Sequence, residues 1–343
     1  MAKRKKLKKG TKRGVIVSLM VVILLIGGFF LYQTLKTNSG LGSIFNIPEA
    51  PTLQILDLDN TDRPFAVIIN NHGSARPFHS GLQDAFIIYE MVVEGGMTRY
   101  LALFDGRTDT NRIGSVRSAR HYFLDYVLEH DAILIHNGQS PQARDDFRSL
   151  GIDRIEVSSN RGGFRDNDLR IAVEHRLFTR MELLHNARGN IRNTRNRDYL
   201  LNYSIELIDL SEKEGVRPAT EVEIRYPTLT ITFRFDEETN RYLRYVNNVA
   251  HIDFPTGNQL NFKNIITYQV ANFTIDRGRQ GLRNIGSGNG YFITGGYAVP
   301  ITWEKSSRSA QTIYRFADGT PLVVNDGNTF IQIQPTNQRL SID

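Results

Sequence analysis

Apolar and polar residues follow different patterns in successive parts of this chain. Residues 15–32 are almost wholly apolar and carry no charge, which predicts a membrane-spanning helix. Residues 33–62 are rich in Thr, Asn, Ser, Gly and Pro and show no sustained period, which indicates a tether. Residues 63–215 mix short apolar runs with helical spacing, whereas residues 216–343 alternate at a period of two. The predicted fold is an α/β domain with a mixed, partly parallel sheet and flanking helices, followed by a smaller, mainly antiparallel β domain.

The middle of the α/β domain has the pattern of a βαβ unit. Residues 132–136 form an apolar strand that is followed by a helix and by another strand at 155–157. Ser140 and Pro141 are the preferred residue types for the N-cap and first turn of that helix, which should end at Gly151. A βαβ unit implies that part of the sheet is parallel.

A β-hairpin is predicted with Gly95 and Gly96 as its two-residue loop. With that loop, period-two alternation places Glu90, Glu94 and Arg99 on the same face of the sheet. The face also carries aliphatic side chains and should be covered, and buried charges are costly unless they are paired. We therefore predict a network of acids and bases that either fixes the fold or serves a ligand.

Arg117 and Arg120 stand at the start of a helix predicted over residues 118–130. Cations at that end of a helix oppose its dipole. An anion bound to the free backbone N–H groups and clamped by the two guanidinium groups would explain them. Arg76, in the preceding loop, is expected at the same edge. The alternative is an internal ion network in which the glutamates of the hairpin neutralise these arginines.

Further polar residues follow the predicted strands. Asn71 and His72 close the first strand, His136 closes a later one, and Ser140 opens the next helix. Ligands of open α/β sheets bind beyond the carboxyl ends of strands, although Asn and Ser are also ordinary turn formers. No catalytic residue is assigned. The candidate ligand-binding residues are Arg117, Arg120, Arg99, Arg76, Glu90, Glu94, Asn71, His72, His136 and Ser140.

The charge is unevenly divided along the chain. The formal net charge is +6, but residues 1–36 hold nine Lys and Arg and no acid, leaving 33 bases against 36 acids. A general polyanion-binding surface is therefore not indicated, and no nucleic-acid partner is predicted. The basic tail at residues 1–14 should stay in the cytoplasm. The prediction is a single-pass membrane protein whose bulk is extracytoplasmic, with a cleaved signal peptide as the alternative.

The sequence contains no cysteine. Disulfides, thiolate metal sites and a lipid-modified cysteine are therefore excluded, and an apolar core has to stabilise the extracytoplasmic part. The histidines lack metal-ligand spacing. No metal site and no cofactor are predicted.

The chain resembles the YerB-like family of lipoproteins in the segments AVIINN, ARPFHSGLQDAFIIYEMVVEGGMTRYLALF, IGSVRSARHYF, DAILIHNGQSPQA and IGSGNGYF. The resemblance spans most of residues 63–335 and implies a two-domain extracytoplasmic protein of Gram-positive bacteria. The lipoprotein cysteine is missing here, so the apolar segment would take the place of the lipid. By position, the family-motif residues are Asn71, Arg76, Gly81, Glu90, Glu94, Gly95, Gly96, Thr98, Arg99, Arg117, Ser118, Arg120, His136, Gly138 and Ser140.

These features predict a membrane-anchored binding or accessory protein of the bacterial cell envelope, linked to cell-wall metabolism. Its expected partners are the membrane, through the N-terminal helix, and a wall polymer, an envelope protein or a phosphate-bearing ligand. Two alternatives remain open. One is an enzyme acting on anionic, phosphate-bearing envelope substrates, and the other is a structural scaffold with no small-ligand site.

Overall fold

The computed structural model describes residues 52–343. The predicted basic tail at 1–14, the predicted membrane anchor at 15–32 and most of the predicted tether lie outside the described residues. Within residues 52–343, no helix is long and apolar enough to cross a bilayer.

Helices are few and short in the described chain. The α-helices are α1 Leu124–Glu129, α2 Pro141–Ser149 and α3 Met181–Arg188. Short 3-10 helices cover Arg76–Phe78, Leu82–Asp84, Glu94–Gly96, His121–Phe123 and Val173–His175.

Strands make up most of the fold. The first nine are β1 Phe65–Asn70, β2 Ile87–Val92, β3 Thr98–Phe104, β4 Ile113–Gly114, β5 Ile133–His136, β6 Arg154–Glu156, β7 Phe164–Arg165, β8 Leu177–Thr179 and β9 Asn202–Ser204. The next eight are β10 Arg217–Pro218, β11 Glu221–Tyr226, β12 Leu229–Asp236, β13 Arg241–Val246, β14 Val249–Ala250, β15 Asn261–Phe262, β16 Asn264–Val270 and β17 Asn272–Asp276. The last seven are β18 Arg279–Leu282, β19 Gly286–Thr294, β20 Tyr297–Lys305, β21 Ile313–Phe316, β22 Val323–Asn325, β23 Thr329–Pro335 and β24 Leu340–Ile342.

An 11-stranded mixed sheet is the centre of the molecule, in the order β10-β20-β19-β16-β23-β2-β3-β1-β5-β6, with β21 beside β20. It contains strands from both predicted domains, because β2 pairs in parallel with β23. A 6-stranded sheet is built from β14-β13-β12-β11-β24, with β15 beside β13. The strands after residue 216 therefore form a separate antiparallel sheet and also complete the main sheet.

Two layers cover the main sheet, and they explain why its central strands are continuous apolar runs. On one face the ring of Tyr126 in α1 lies 4.6 Å from that of Tyr89 in β2, centroid to centroid. On the other face Phe330 of β23 packs against Phe233 of β12 at 5.4 Å. Successive strand residues point to opposite faces, so Glu90, next to Tyr89, faces the 6-stranded sheet.

The βαβ prediction is confirmed, since β5 and β6 are parallel neighbours joined by α2. The helix predicted over residues 118–130 begins later, with a 3-10 turn at His121–Phe123 that continues into α1. The folded region also begins before residue 63. Asn60, within the predicted tether, is fully buried and its side chain donates to Asp105 Oδ1 at 2.5 Å.

The register predicted for the hairpin was wrong by one residue. Its loop takes three residues, Glu94–Gly96, instead of two. Arg99 consequently pairs with Met91, and it lies on the opposite face of the sheet from Glu90. The predicted grouping of Glu90 and Arg99 on one face is therefore corrected, and each residue has different partners.

Candidate functional site

Six strands of the main sheet end at the same edge. All six run in one direction: β1, β2, β5, β6, β16 and β23. The pairs β1–β5, β5–β6, β2–β23 and β16–β23 are parallel, and β1 and β2 are both antiparallel to β3, which lies between them. Residues 115–120 lie across the ends of β1 and β5. The backbone N–H of Arg117 donates to the Ile68 carbonyl at 2.9 Å, and Asn137 N–H donates to the Arg117 carbonyl at 3.1 Å. These bonds carry the predicted arginines to the edge where ligands of such sheets bind.

Arg99, Arg117 and Arg120, together with Glu94, form what we call the arginine cluster. Arg99 Nη1 donates to the carbonyl of Ser118 at 2.7 Å, and Arg120 Nη1 donates to the same oxygen at 3.3 Å. Arg120 also binds Glu94 through two parallel bonds, Nε to Oε1 at 2.6 Å and Nη2 to Oε2 at 2.8 Å. The fork geometry makes this ion pair well ordered.

The cluster has more positive than negative charge. Burial, together with the nearby charge of Arg120, lowers the pKa of Arg99 to about 9. Burial likewise lowers the pKa of Arg117. Among residues 52–343, neither of these two arginines forms an ion pair with a carboxylate. Both keep their charge at neutral pH, so three guanidinium groups adjoin one directly bound carboxylate.

The guanidinium group of Arg117 has N–H donors that are not used. Its Nη1 donates to the backbone carbonyl of Glu174 at 3.3 Å, while its Nε is buried and has no hydrogen-bond partner in the described chain. For Glu94, burial acts to raise the pKa, but the hydrogen bond and charge of Arg120 outweigh it and lower the pKa. Glu94 is therefore ionised at neutral pH and offsets one of the three positive charges. The carboxylate of Glu174 lies near Arg117 and its charge acts to raise the pKa of Arg117, but it forms no ion pair with Arg117 within the described residues.

Glu90 belongs to a different, fully buried network on the other face of the sheet. Its Oε2 accepts from Arg244 Nη2 at 2.8 Å, and neither side chain is exposed. Thr98 Oγ1 donates to Glu90 Oε1 at 2.6 Å, and Asn71 Nδ2 donates to the same oxygen at 3.1 Å. Arg76 Nε in turn donates to Asn71 Oδ1 at 3.0 Å. Glu90, Asn71 and Arg76 thus belong to one hydrogen-bonded network, which does not include the arginine cluster.

A row of buried side chains continues from Arg244 toward β1. Arg244 Nη1 lies 2.5 Å from His251 Nδ1, His251 Nε2 lies 2.7 Å from His79 Nδ1, and His79 Nε2 lies 2.5 Å from the Asn70 carbonyl. Arginine can only donate and a carbonyl can only accept, which fixes both tautomers along the row. Each ring then carries one proton, so both histidines are neutral. Burial lowers the pKa of His79 to about 3 and that of His251 well below its ordinary value.

The remaining predicted residues have local roles. The ring of His72 stacks on that of His175 at 4.9 Å, next to Arg117. His136 is buried, its Nδ1 donates to the Gly138 carbonyl at 2.9 Å, and burial lowers its pKa. Ser140 caps α2, since its Oγ accepts from the backbone N–H of Ala143 at 3.2 Å. Residues 52–343 contain no cluster of acids and histidines that fits a metal ion.

Sequence reasoning missed Arg244, the partner of Glu90. The two residues are 154 positions apart, so no local pattern connects them. A signal was nevertheless present in β13, where Tyr242, Arg244 and Val246 are the buried members of an alternating strand. An arginine at an inward-facing position of a strand, where the other inward-facing residues are apolar, requires a buried acid.

Comparison with known proteins places the chain in a family. Residues 53–195 match the N-terminal domain, and residues 222–331 the C-terminal domain, of a family described as Protein of unknown function (DUF3048). The chain belongs to the DUF3048 family. It is 28% identical over 288 residues to "Putative lipoprotein YerB" of Bacillus subtilis (strain 168), covering 82% of this chain and 83% of that protein. The crystal structure of YerB protein from Bacillus subtilis matches with a TM-score of 0.70 at 25% identity, over 85% of this chain and 99% of that one.

These matches confirm the resemblance to YerB and the two-domain architecture. The arginine cluster lies wholly within the N-terminal DUF3048 domain. The Glu90–Arg244 pair instead joins the two DUF3048 domains, because Arg244 belongs to the C-terminal one.

Proposed function

We propose that this DUF3048 protein is a membrane-anchored, extracytoplasmic binding or accessory protein of the bacterial cell envelope, and that its arginine cluster binds a phosphate-bearing envelope component. Location is supported by the lipoprotein name of the YerB relative and by the uncharged apolar run at residues 15–32 behind a basic tail. A link to cell-wall metabolism follows from that location.

One observation carries the anion site. Arg99 and Arg117 are held at the carboxyl-end edge of the sheet without a carboxylate partner among residues 52–343. Like charges placed together in a partly buried site repel one another, and desolvation adds to that cost. A phosphate group would offset both effects, because its oxygens accept charge-assisted bonds from several guanidinium groups at once.

The test is binding of inorganic pyrophosphate to the full chain, followed by calorimetry and by thermal unfolding. Pyrophosphate should raise the melting temperature of the parent protein, since a ligand that binds only the folded state stabilises it. Arg117→Gln should weaken the affinity by about tenfold or more, equivalent to the loss of one charge-assisted contact. Arg148→Gln is the matched control, because Arg148 is exposed on α2 and makes no ion pair within the described residues.

Two results would count against the proposal. One is a parent protein whose melting temperature and heat signal do not respond to pyrophosphate. The other is an Arg117→Gln variant that binds pyrophosphate as well as Arg148→Gln does. Either result would leave the arginines as part of an internal ion network.

A further inference from the structure

A cleft of about 470 Å³ opens beyond the ends of β2, β16 and β23. Its walls are the loop Glu94–Gly96, the turns after β11 and β23, and the hairpin β17–β18. That volume lies within the range of small-molecule sites. The side chains that give the cleft its chemistry are Asn272, Phe273, Thr274, Gln280, Asn337 and Gln338.

The lining is polar but uncharged. No side chain that lines the cleft, all of them within the described chain, is an acid, a base or a histidine. Four of them are amides, and each amide presents both donors and acceptors. Hydroxyl groups also donate and accept, so the lining suits a polyhydroxylated ligand better than a bare anion.

Asn272 shows that the cleft has unused bonding capacity. Both Nδ2 and Oδ1 of its amide are buried from solvent and have no hydrogen-bond partner in residues 52–343. Leaving a buried polar group unbonded costs free energy, and rotation of the Asn272 amide into the cleft would let a ligand that supplies a donor and an acceptor recover it.

Phe273 is the aromatic residue among those that line the cleft. Its side chain is 48% exposed. The ring lies over Gly281, its partner across the hairpin, and a Cβ on Gly281 would come within 2.6 Å of it. Glycine at that position therefore lets the ring lie against β18, where the guanidinium carbon of Arg283 is 5.9 Å from the ring centroid. The exposed part of the ring can pack on the C–H face of a sugar ring.

The cleft and the arginine cluster share one wall. Glu94, which binds Arg120, begins the loop whose Gly95 and Gly96 line the cleft. Gly96 has φ 72°, and a Cβ there would lie 2.7 Å from Pro227 Cβ, so the loop sits tightly on the neighbouring turn. Thr228 Oγ1 also donates to the Gly96 carbonyl at 2.9 Å. The wall between the two sites is thus fixed by packing and by hydrogen bonding.

We infer that this cleft binds the sugar part of an anionic glycan whose phosphate contacts the arginine cluster. The phosphate contact rests on the function proposed above. The sugar contact rests on the cleft alone, namely on its amides, its unpaired Asn272 and its exposed aromatic ring.

Three probes separate these parts when titrated calorimetrically into the full chain: inorganic phosphate, the neutral disaccharide N,N′-diacetylchitobiose, and N-acetylglucosamine 1-phosphate. The sugar phosphate should bind about tenfold or more tightly than inorganic phosphate, because it fills both sites. Phe273→Ala should remove that gain and leave phosphate binding unchanged. Phe254→Ala is the matched control, since Phe254 is 43% exposed and lies outside the cleft.

The outcomes distinguish the two proposals. Phe273-dependent binding of the disaccharide, together with no binding of inorganic phosphate, would support the glycan cleft and reject the anion site. Phosphate binding without any gain from the sugar, or a gain that Phe273→Ala and Asn272→Ala both leave intact, would reject the cleft and keep the anion site. A chain that binds none of the three probes rejects both.

Discussion

Glu90 and Arg244 form an ion pair with an Nη2–Oε2 distance of 2.8 Å, and both side chains are fully buried. The pair joins the main sheet to the 6-stranded sheet, and the acid also accepts from Gln332 Nε2 at 2.7 Å. Two desolvated charges are tolerated there because each is neutralised and hydrogen-bonded by the other domain. The contact between the domains therefore depends on polar complementarity as well as on aromatic packing.

Breaking the Glu90–Arg244 pair from one side should be strongly destabilising. Arg244→Met leaves a buried carboxylate without its cation, and we expect the free energy of unfolding to fall by about 3–5 kcal/mol. The double variant Glu90→Gln with Arg244→Met buries no charge and should recover a large part of that loss. Urea denaturation of the parent, the two single variants and the double variant measures the coupling between the two sites.

The control for this cycle is Arg234→Met on the neighbouring strand β12. Arg234 pairs with Glu221, but both side chains are 40% or more exposed, so its loss should cost no more than about 1 kcal/mol. If Arg244→Met costs no more than Arg234→Met, the buried pair does not stabilise the contact between the two domains.

Buried neutral histidines should make the protein less stable in weak acid. Burial lowers the folded-state pKa of His79, in the row beside Arg244, to about 3. It lowers that of His130, which lies outside this row with its Nε2 2.8 Å from the Tyr89 hydroxyl, to about 4, and both values are far below the ordinary 6.5. The unfolded chain therefore takes up protons below pH 6.5 that the folded chain does not, and stability falls as the pH drops. Between pH 6.5 and 5, each such group lowers the free energy of unfolding by about 2 kcal/mol.

His79→Gln tests this assignment through the pH dependence of the free energy of unfolding, instead of through its value at one pH. The variant should lose less free energy of unfolding than the parent between pH 6.5 and 5, whatever its stability at pH 7. Urea denaturation at several pH values in this window gives both slopes. Equal slopes for the parent and the variant would show that His79 is not a neutral buried group in the folded state.

Local signals predicted local structure well. Ser140 and Pro141 indicated the start of α2, and the structure has the expected cap there. The hairpin register was predicted wrongly because Gly95 and Gly96 suggested a two-residue loop, whereas the observed loop has three residues and places Gly96 against the distant Pro227. A single residue of register reverses the face of a whole strand.

The candidate site was predictable only in part, for a related reason. The arginines at 117 and 120 were found because they stand beside a helix start. Whether each arginine forms an ion pair with a carboxylate depends on where other segments of the chain lie. Arg120 is bound by Glu94 and Arg117 is bound by no carboxylate in the described residues, a difference that no spacing between them encodes. The neutral cleft was missed because its amides come from the β17–β18 hairpin and from the turn after β23, which are distant in the sequence.

Ser140→Ala should separate a capping role from a ligand-binding role. Loss of the N-cap bond to Ala143 should lower the free energy of unfolding by about 1 kcal/mol, while pyrophosphate binding stays as in the parent. Ser149→Ala, at the exposed far end of the same helix, is the control and should change stability little. Lost pyrophosphate affinity at unchanged stability would instead assign Ser140 to the ligand.

The last prediction contrasts the two arginines at the start of the 121–129 helical segment. Arg120→Gln removes the bidentate partner of Glu94, a carboxylate with 26% exposure, so it should lower the free energy of unfolding by about 1–2 kcal/mol. Arg117→Gln removes a cation with no carboxylate partner in the described chain, so thermal stability should stay unchanged or rise slightly. Glu94→Gln raises the net positive charge of the cluster and frees Arg120, and it should tighten pyrophosphate binding severalfold. Thermal unfolding with and without pyrophosphate measures all three variants. If Arg117→Gln is as destabilising as Arg120→Gln, and Glu94→Gln gains no affinity, the arginine cluster is a structural ion network and not an anion site.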